Sequence, residues 1–289
     1  MDSTEHAERP QFLRRMRQIA AAAVLAWLGL SGFVALNQQS MLYFPAQAAE
    51  ASLLREAARS GLEPWRAKDG TLAGFRSLAP NDDPRPRATI LVLHGNAGHA
   101  LDCSPYVPLL RAAAPDHALS VHILEYPGYG ARAGTPSQEA FVDAAADALA
   151  TLPQGEPVIL LGESIGSGVA AGLAAREPGR VAGLVMVTPF DNLASVARHH
   201  YPLLPVQWIM RDKFPAAQWL QDYRGPGVFL LAGTDDIVPA QFGRALHDSY
   251  RGPKKLISAP DAGHNDIVHG LSDAGWREAL AFVLPPAAD

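Results

Sequence analysis

One cysteine, Cys103, occurs in 289 residues. It has no partner within the chain, which excludes an intramolecular disulfide and a zinc site built from several thiolates. Positive charge is also scarce. With 24 Lys and Arg against 29 Asp and Glu, a formal charge of -5, the chain lacks the basic field that draws in a phosphate backbone. Nucleic acid is not an expected partner. No Gly-Lys-Ser/Thr occurs, and Gly162, Gly166 and Gly168 do not read as G-x-G-x-x-G. A phosphate loop and a dinucleotide fingerprint are therefore not expected. No internal repeat interrupts the chain.

Charge is missing altogether from Ile19 to Ala49, and residues 19–36 are almost wholly apolar. Eighteen helical residues rise roughly 27 Å, close to the thickness of a hydrocarbon core. Arg14, Arg15 and Arg17 precede the run, and the first basic residue after it is Arg55. The positive-inside bias then predicts a cytoplasmic N-terminus with the bulk of the chain on the other side. The expected organisation is a short basic segment at 1–18, a signal-anchor transmembrane helix at 19–40, and one large folded domain at 41–289. That describes a single-pass protein of the cell (inner) membrane whose main domain is periplasmic or extracytoplasmic. Two readings compete with this. A cleaved signal peptide would have a shorter apolar region, and the small-x-small triplet Ala46-Gln47-Ala48 lies late, about ten residues beyond the run; a buried helix of a soluble domain would have no polar face to meet water.

Beyond Tyr43-Phe44-Pro45 the chain is patterned. Apolar, β-branched runs at 88–95, 119–128, 157–164, 181–189, 227–236 and 254–260 alternate with alanine-rich amphipathic stretches at 137–152 and 165–177, and a further stretch at 272–284 comes after the last run. Near-continuous apolar strands alternating with helices predict a mainly parallel, doubly wound α/β sheet covered on both faces. With 48% hydrophobic residues, the chain can bury the core such a fold needs.

At the third run, Gly162-Glu163-Ser164-Ile165-Gly166 reads G-x-S-x-G between a strand and a helix, the setting of a nucleophile elbow. The turn is too tight for side chains two residues either side of the serine, hence the glycines. It lifts the Ser164 hydroxyl above the sheet, beside the free amides of a helix N-terminus. A hydroxyl nucleophile needs a base, and the base an acid. Both occur in the order expected of this fold: Asp235 and Asp236 after a later strand, then His264 after the last. His94-Gly95-Asn96-Ala97-Gly98 comes directly after the first parallel strand, where the second amide donor to an oxyanion is needed. The backbone N–H groups of Asn96 and Ile165 are the expected pair.

These blocks, with "LHGNAG" at 93–98, "EYPGYGARAGTPSQE" at 125–139, "TPFDNL" at 188–193, "DDIVP" at 235–239 and "GHND" at 263–266, resemble the signatures of the Bem46-like, ABHD-related α/β-hydrolases. The resemblance runs from about Met41 to the C-terminus and includes "QQSMLYFP", similar to that family's membrane-exit segment. It implies an α/β-hydrolase fold with a small helical cap, and a membrane-anchored serine hydrolase of acyl esters or thioesters, with lipid-like or acylated substrates. It requires no metal or organic cofactor. In the family the acid is followed by one residue, two aliphatic residues and proline, which fits Asp235. Counting G-x-x-D from Gly233 selects Asp236 instead; Asp235, on the family spacing, is the expected acid. The cap falls at about 189–224, where Phe190, Tyr201 and Trp208 are candidates for an apolar acyl pocket. Packing of the cap onto the sheet accounts for most such residues. A peptidase or C–C hydrolase on the same residues, and a tethered binding module without activity, are the alternative readings. His94 reads as a structural residue of its loop, Cys103 as an inert buried thiol, and the adjacent His199 and His200 as a solvated pair.

Overall fold

The computed structural model describes residues 5–286. Eight strands form one sheet: β1 (Glu63–Arg66), β2 (Leu72–Ser77), β3 (Arg87–Leu93), β4 (Ala118–Leu124), β5 (Val158–Glu163), β6 (Val181–Val187), β7 (Gly227–Ala232) and β8 (Lys254–Ala259). Their order is β8-β7-β6-β5-β3-β4-β2-β1. The six strands from β3 to β8 are parallel, and the β1–β2 hairpin joins antiparallel at one edge through β2 and β4. All six apolar runs singled out in the sequence are strands of this sheet.

Period-two alternation separates two cores. Leu91, Leu93, Leu160, Leu184, Met186 and Phe229 face one layer, while Ile90, Val92, Ile159, Leu161, Val185 and Val187 face the other. Helices α4 (Gln138–Leu149), α5 (Ile165–Arg176) and α9 (Ala240–Ser249) cover the first layer through Phe141, Val169 and Leu246. Helices α3 (Tyr106–Ala113) and α11 (Asp273–Val283) cover the second through Tyr106, Leu110, Trp276 and Leu280. Because both faces are buried, strands β5, β6 and β7 are apolar almost throughout rather than alternating with polar residues.

The N-terminal helix is longer than its apolar run. α1 extends from Glu5 to Leu42 without interruption, so the segment expected at 19–40 is its interior. The Arg- and Gln-containing stretch before Ile19 contains good helix formers, and beyond Pro10 no proline breaks the helix before the chain reaches Pro45. Phe12–Leu42 is long and apolar enough to cross a membrane. Its last helical bond is donated by the Tyr43 amide to Gln39. Phe44 and Pro45 then pair in parallel with Ala97 and Gly98, joining the end of α1 to the loop after β3. Helix α2 (Glu50–Arg59) comes next.

Between β6 and β7 lies a cap of three short helices: α6 (Leu193–His200), α7 (Val206–Ile209) and α8 (Ala216–Trp219). The Asn192 side chain starts α6 by accepting from the Ala194 amide at 2.8 Å, a standard helix N-cap. The remaining helix, α10 (Ile267–Gly270), precedes α11.

Candidate active site

Ser164 sits between β5 and α5 with φ 53° and ψ -118°, a left-handed conformation that costs a residue with a side chain about 1–3 kcal/mol. The surroundings leave no alternative. A β-carbon at Gly162 would fall on the Gly166 backbone, and one at Gly166 on the Leu93 carbonyl. The elbow is pinned from both sides. The Ser164 amide donates to the Val187 carbonyl at 2.9 Å, and its own carbonyl accepts from the Ser167 hydroxyl at 2.6 Å.

His264, on the loop after β8, brings Nε2 to 3.0 Å from Ser164 Oγ. Its Nδ1 lies 2.7 Å from Asp235 Oδ2. The other carboxylate oxygen of Asp235 accepts from the amides of Ile237 and Val238 at 2.9 and 2.7 Å, which holds the group in one orientation. All three side chains are buried. Asp236, one residue on, is exposed. The loops that carry the acid and the imidazole are fastened together: the Gly233 amide donates to Ala259 and the Thr234 amide to Ala262. A side chain at Gly233 would collide with the Pro260 carbonyl.

The loop after β3 passes close to the serine. A β-carbon at Gly95 would lie 3.9 Å from Ser164 Cβ. Among the described residues neither the Asn96 amide nor the Ile165 amide, the first of α5, has a protein acceptor. Other groups of Asn96 bond to the chain leaving α1 and to Tyr129. Its side-chain Nδ2 donates to the Leu42 carbonyl at 3.0 Å, and its carbonyl accepts from the Phe44 amide at 2.9 Å and from the Tyr129 hydroxyl at 2.7 Å. The segment leaving α1 and Tyr129 thus support the loop next to the serine. The pattern "QQSMLYFP" marked the exit segment in the sequence, but nothing there linked it to Asn96.

The three apolar cap residues are not brought together. Phe190 is wholly buried in the core on the α5 side. Tyr201 lines an apolar cleft between α1 and the cap, with Val34, Leu42, Leu204, Ile209 and Met210. Trp208 is 85% exposed. Sequence reasoning missed that α1 forms one wall of this cleft.

Residues that the sequence suggested as structural have structural surroundings. His94 is buried against Tyr126 and Tyr129, with Nδ1 2.8 Å from the Gly95 carbonyl and Nε2 3.4 Å from Glu125. Burial pushes the Cys103 thiol well above its ordinary range, leaving little thiolate. Glu163, inside the elbow, accepts from the Tyr106 hydroxyl at 2.7 Å. Burial, followed by the Glu163 charge, raises the Tyr106 pKa, so the phenol stays a donor. His199 and His200 are exposed, and His200 Nε2 lies 2.9 Å from the Ile237 carbonyl.

Comparison with known proteins agrees with this architecture. The family model for the alpha/beta hydrolase fold matches residues 88–212. The Mycobacterium tuberculosis protein Rv2307c, named only as uncharacterized, is 32% identical over 263 residues, 88% of this chain and 90% of that one. Protein bem46 of Schizosaccharomyces pombe is 25% identical over 233 residues, 76% of this chain and 74% of the relative. Among solved structures, Est1E from Butyrivibrio proteoclasticus shares the fold with a TM-score of 0.57 at 16% identity, covering 76% of this chain and 98% of its own. On these similarities, and on a doubly wound sheet carrying its serine at a strand-to-helix elbow, the chain belongs to the Bem46-like family of α/β-hydrolases.

Proposed function

We propose that the protein is a membrane-anchored serine hydrolase that cleaves carboxylic esters or thioesters through an acyl-enzyme. The observation that carries this reading is the continuous hydrogen-bonded chain Ser164–His264–Asp235, at 3.0 and 2.7 Å. His264 takes the proton of Ser164 as Oγ attacks the carbonyl carbon. The imidazolium then gives that proton to the leaving alcohol or thiol, and water repeats the sequence on the acyl-enzyme. Asp235 holds the imidazole in the tautomer with a proton on Nδ1 and stabilises its charged form without taking the proton. The free amides of Asn96 and Ile165 are the donors assigned to the tetrahedral oxyanion, each worth about 3–4 kcal/mol in the transition state.

The test is labelling of the full chain in detergent by a fluorophosphonate probe. The wild type is expected to label, and Ser164→Ala and His264→Ala are expected to lose the label while keeping the wild-type circular dichroism spectrum. A Ser164→Ala variant that still labels or turns over ester would remove this assignment.

A further inference from the structure

The cap has an edge that ordinary solvent does not suit. Residues 201–210, Tyr-Pro-Leu-Leu-Pro-Val-Gln-Trp-Ile-Met, carry no charge, yet Arg198 precedes the stretch and Arg211, Asp212 and Lys213 come directly after it. Leu203 is 82% exposed, Trp208 85% and Tyr201 53%. This edge packs along α1 at two heights. Gln38 bridges the far side of the stretch, its Nε2 donating to the Ile209 carbonyl at 3.2 Å and its Oε1 accepting from the Arg211 amide at 2.7 Å. Eleven residues deeper along the helix, Trp27 Nε1 donates to the Leu203 carbonyl at 2.6 Å.

Those two heights have a meaning if α1 spans a bilayer. A hydrocarbon core takes about 20 helical residues, so a span beginning after Arg17 ends near Asn37. Gln38 and Arg211 then lie at the polar boundary. Trp27, ten residues past Arg17, lies about 15 Å in, near the midplane, and Leu203 is bonded to it. Part of the loop backbone is satisfied within the protein, which lowers the cost of leaving water, although the Leu203, Val206 and Gln207 amides have no protein acceptor among the described residues. Pro202 and Pro205 have no N–H. The Leu204 amide donates to Tyr201, and the amides of Trp208 and Ile209 both donate to Pro205. The Leu203 carbonyl has the Trp27 indole.

We propose that the cap edge at residues 201–210 is inserted into the hydrocarbon of the leaflet on the catalytic-domain side, alongside α1, so that substrate reaches the site from the bilayer. The apolar cleft between α1 and the cap, about 140 Å³, takes a group of roughly six carbon atoms. Its Leu42 wall is bonded to Asn96, on the loop that passes close to Ser164, which ties the cleft to the serine through that loop. The substrate class is an ester carried by a membrane lipid.

The inference rests on α1 crossing the bilayer, and the substrate part rests also on the hydrolase reading. Depth labelling separates these. Cys103 is buried, so nitroxides placed on Leu25→Cys, Leu203→Cys and Asp82→Cys of the full chain report one site each in vesicles of phosphatidylcholine and phosphatidylglycerol. Leu25 lies on α1, and Asp82 is an exposed polar control. Labels at 25 and 203 are expected to relax with oxygen and resist a water-soluble nickel chelate, while the label at 82 does the reverse. A label at 203 that behaves like the one at 82, with 25 in lipid, overturns the insertion and leaves α1 spanning. Water access at 25 as well overturns both. Turnover reads the substrate class: Leu203→Asp is expected to slow hydrolysis of a long-chain p-nitrophenyl ester dissolved in those vesicles by about tenfold or more and to leave soluble p-nitrophenyl acetate unchanged. Equal slowing of both overturns bilayer delivery. If the wild type hydrolyses neither ester, the hydrolase reading fails and the labels alone decide the insertion.

Discussion

Asp235 and Asp236 are chemically identical neighbours with different surroundings. Asp235 is buried, with one oxygen on His264 and the other on two amides; Asp236 faces solvent. Asp235→Asn offers the imidazole the wrong hydrogen-bonding partner and is expected to lower kcat by about 10⁴. Asp236→Asn should leave kcat within about twofold, as an exposed charge contributes little. Equal losses, measured by steady-state kinetics, would contradict the assignment. A second residue sets acid stability. His122 on β4 is buried against Trp65, and burial, with the Arg76 charge adding to it, lowers its pKa to about 4. The native state therefore favours the neutral ring, and the unfolded chain takes up the proton first. Stability from this group is complete above the unfolded value of about 6.5, falls as pH drops toward 4, and is flat below. The loss is of order 1.4 kcal/mol per pH unit, about 3 kcal/mol in all. Thermal melts of wild type and His122→Phe across this window are expected to diverge, with the variant showing the shallower decline.

Between elements, the main consequence is the coupling of the end of α1 to the loop after β3. The two-residue pairing of Phe44–Pro45 with Ala97–Gly98 is not legible in the sequence, because so short a strand has no periodicity. Its partner lies in a glycine-containing loop. The parallel strands are legible for the opposite reason: burial on both faces gives β5, β6 and β7 nearly unbroken apolar runs. The coupling makes Asn96 a positioning residue through its side chain. Asn96→Ala keeps the backbone amide but frees the Leu42 carbonyl, a loss of about 1 kcal/mol. The expected result is a roughly five- to tenfold fall in kcat with KM little changed. A rise in KM alone would point instead to substrate contact.

For the whole molecule, the arrangement is a buried α/β-hydrolase body with an apolar helix projecting from it. Phe12, Ile19, Leu25, Phe33 and Leu36 are all more than half exposed, an apolar surface far larger than a soluble monomer ordinarily tolerates. The full chain is expected to sediment with membranes after an alkaline carbonate wash and to enter solution only with detergent. Recovery in the carbonate supernatant would show that α1 is not embedded.

The amino-acid sequence by itself determined the kinds of elements and their order, the glycine pattern that the Ser164 elbow requires, the succession of serine, carboxylate and histidine, and an uncharged segment of membrane-spanning length. Each of these is a property of residues close together in the chain, where backbone sterics and hydrophobic periodicity act directly. Spacing to the following Ile237-Val238-Pro239 pointed to Asp235 over Asp236. Tertiary structure alone decided that Phe190 is core while Trp208 is exposed, and that α1 walls a cleft with the cap and braces the Asn96 loop. Those outcomes depend on contacts between segments tens to hundreds of residues apart, and no local pattern encodes which way a loop turns when it closes against another.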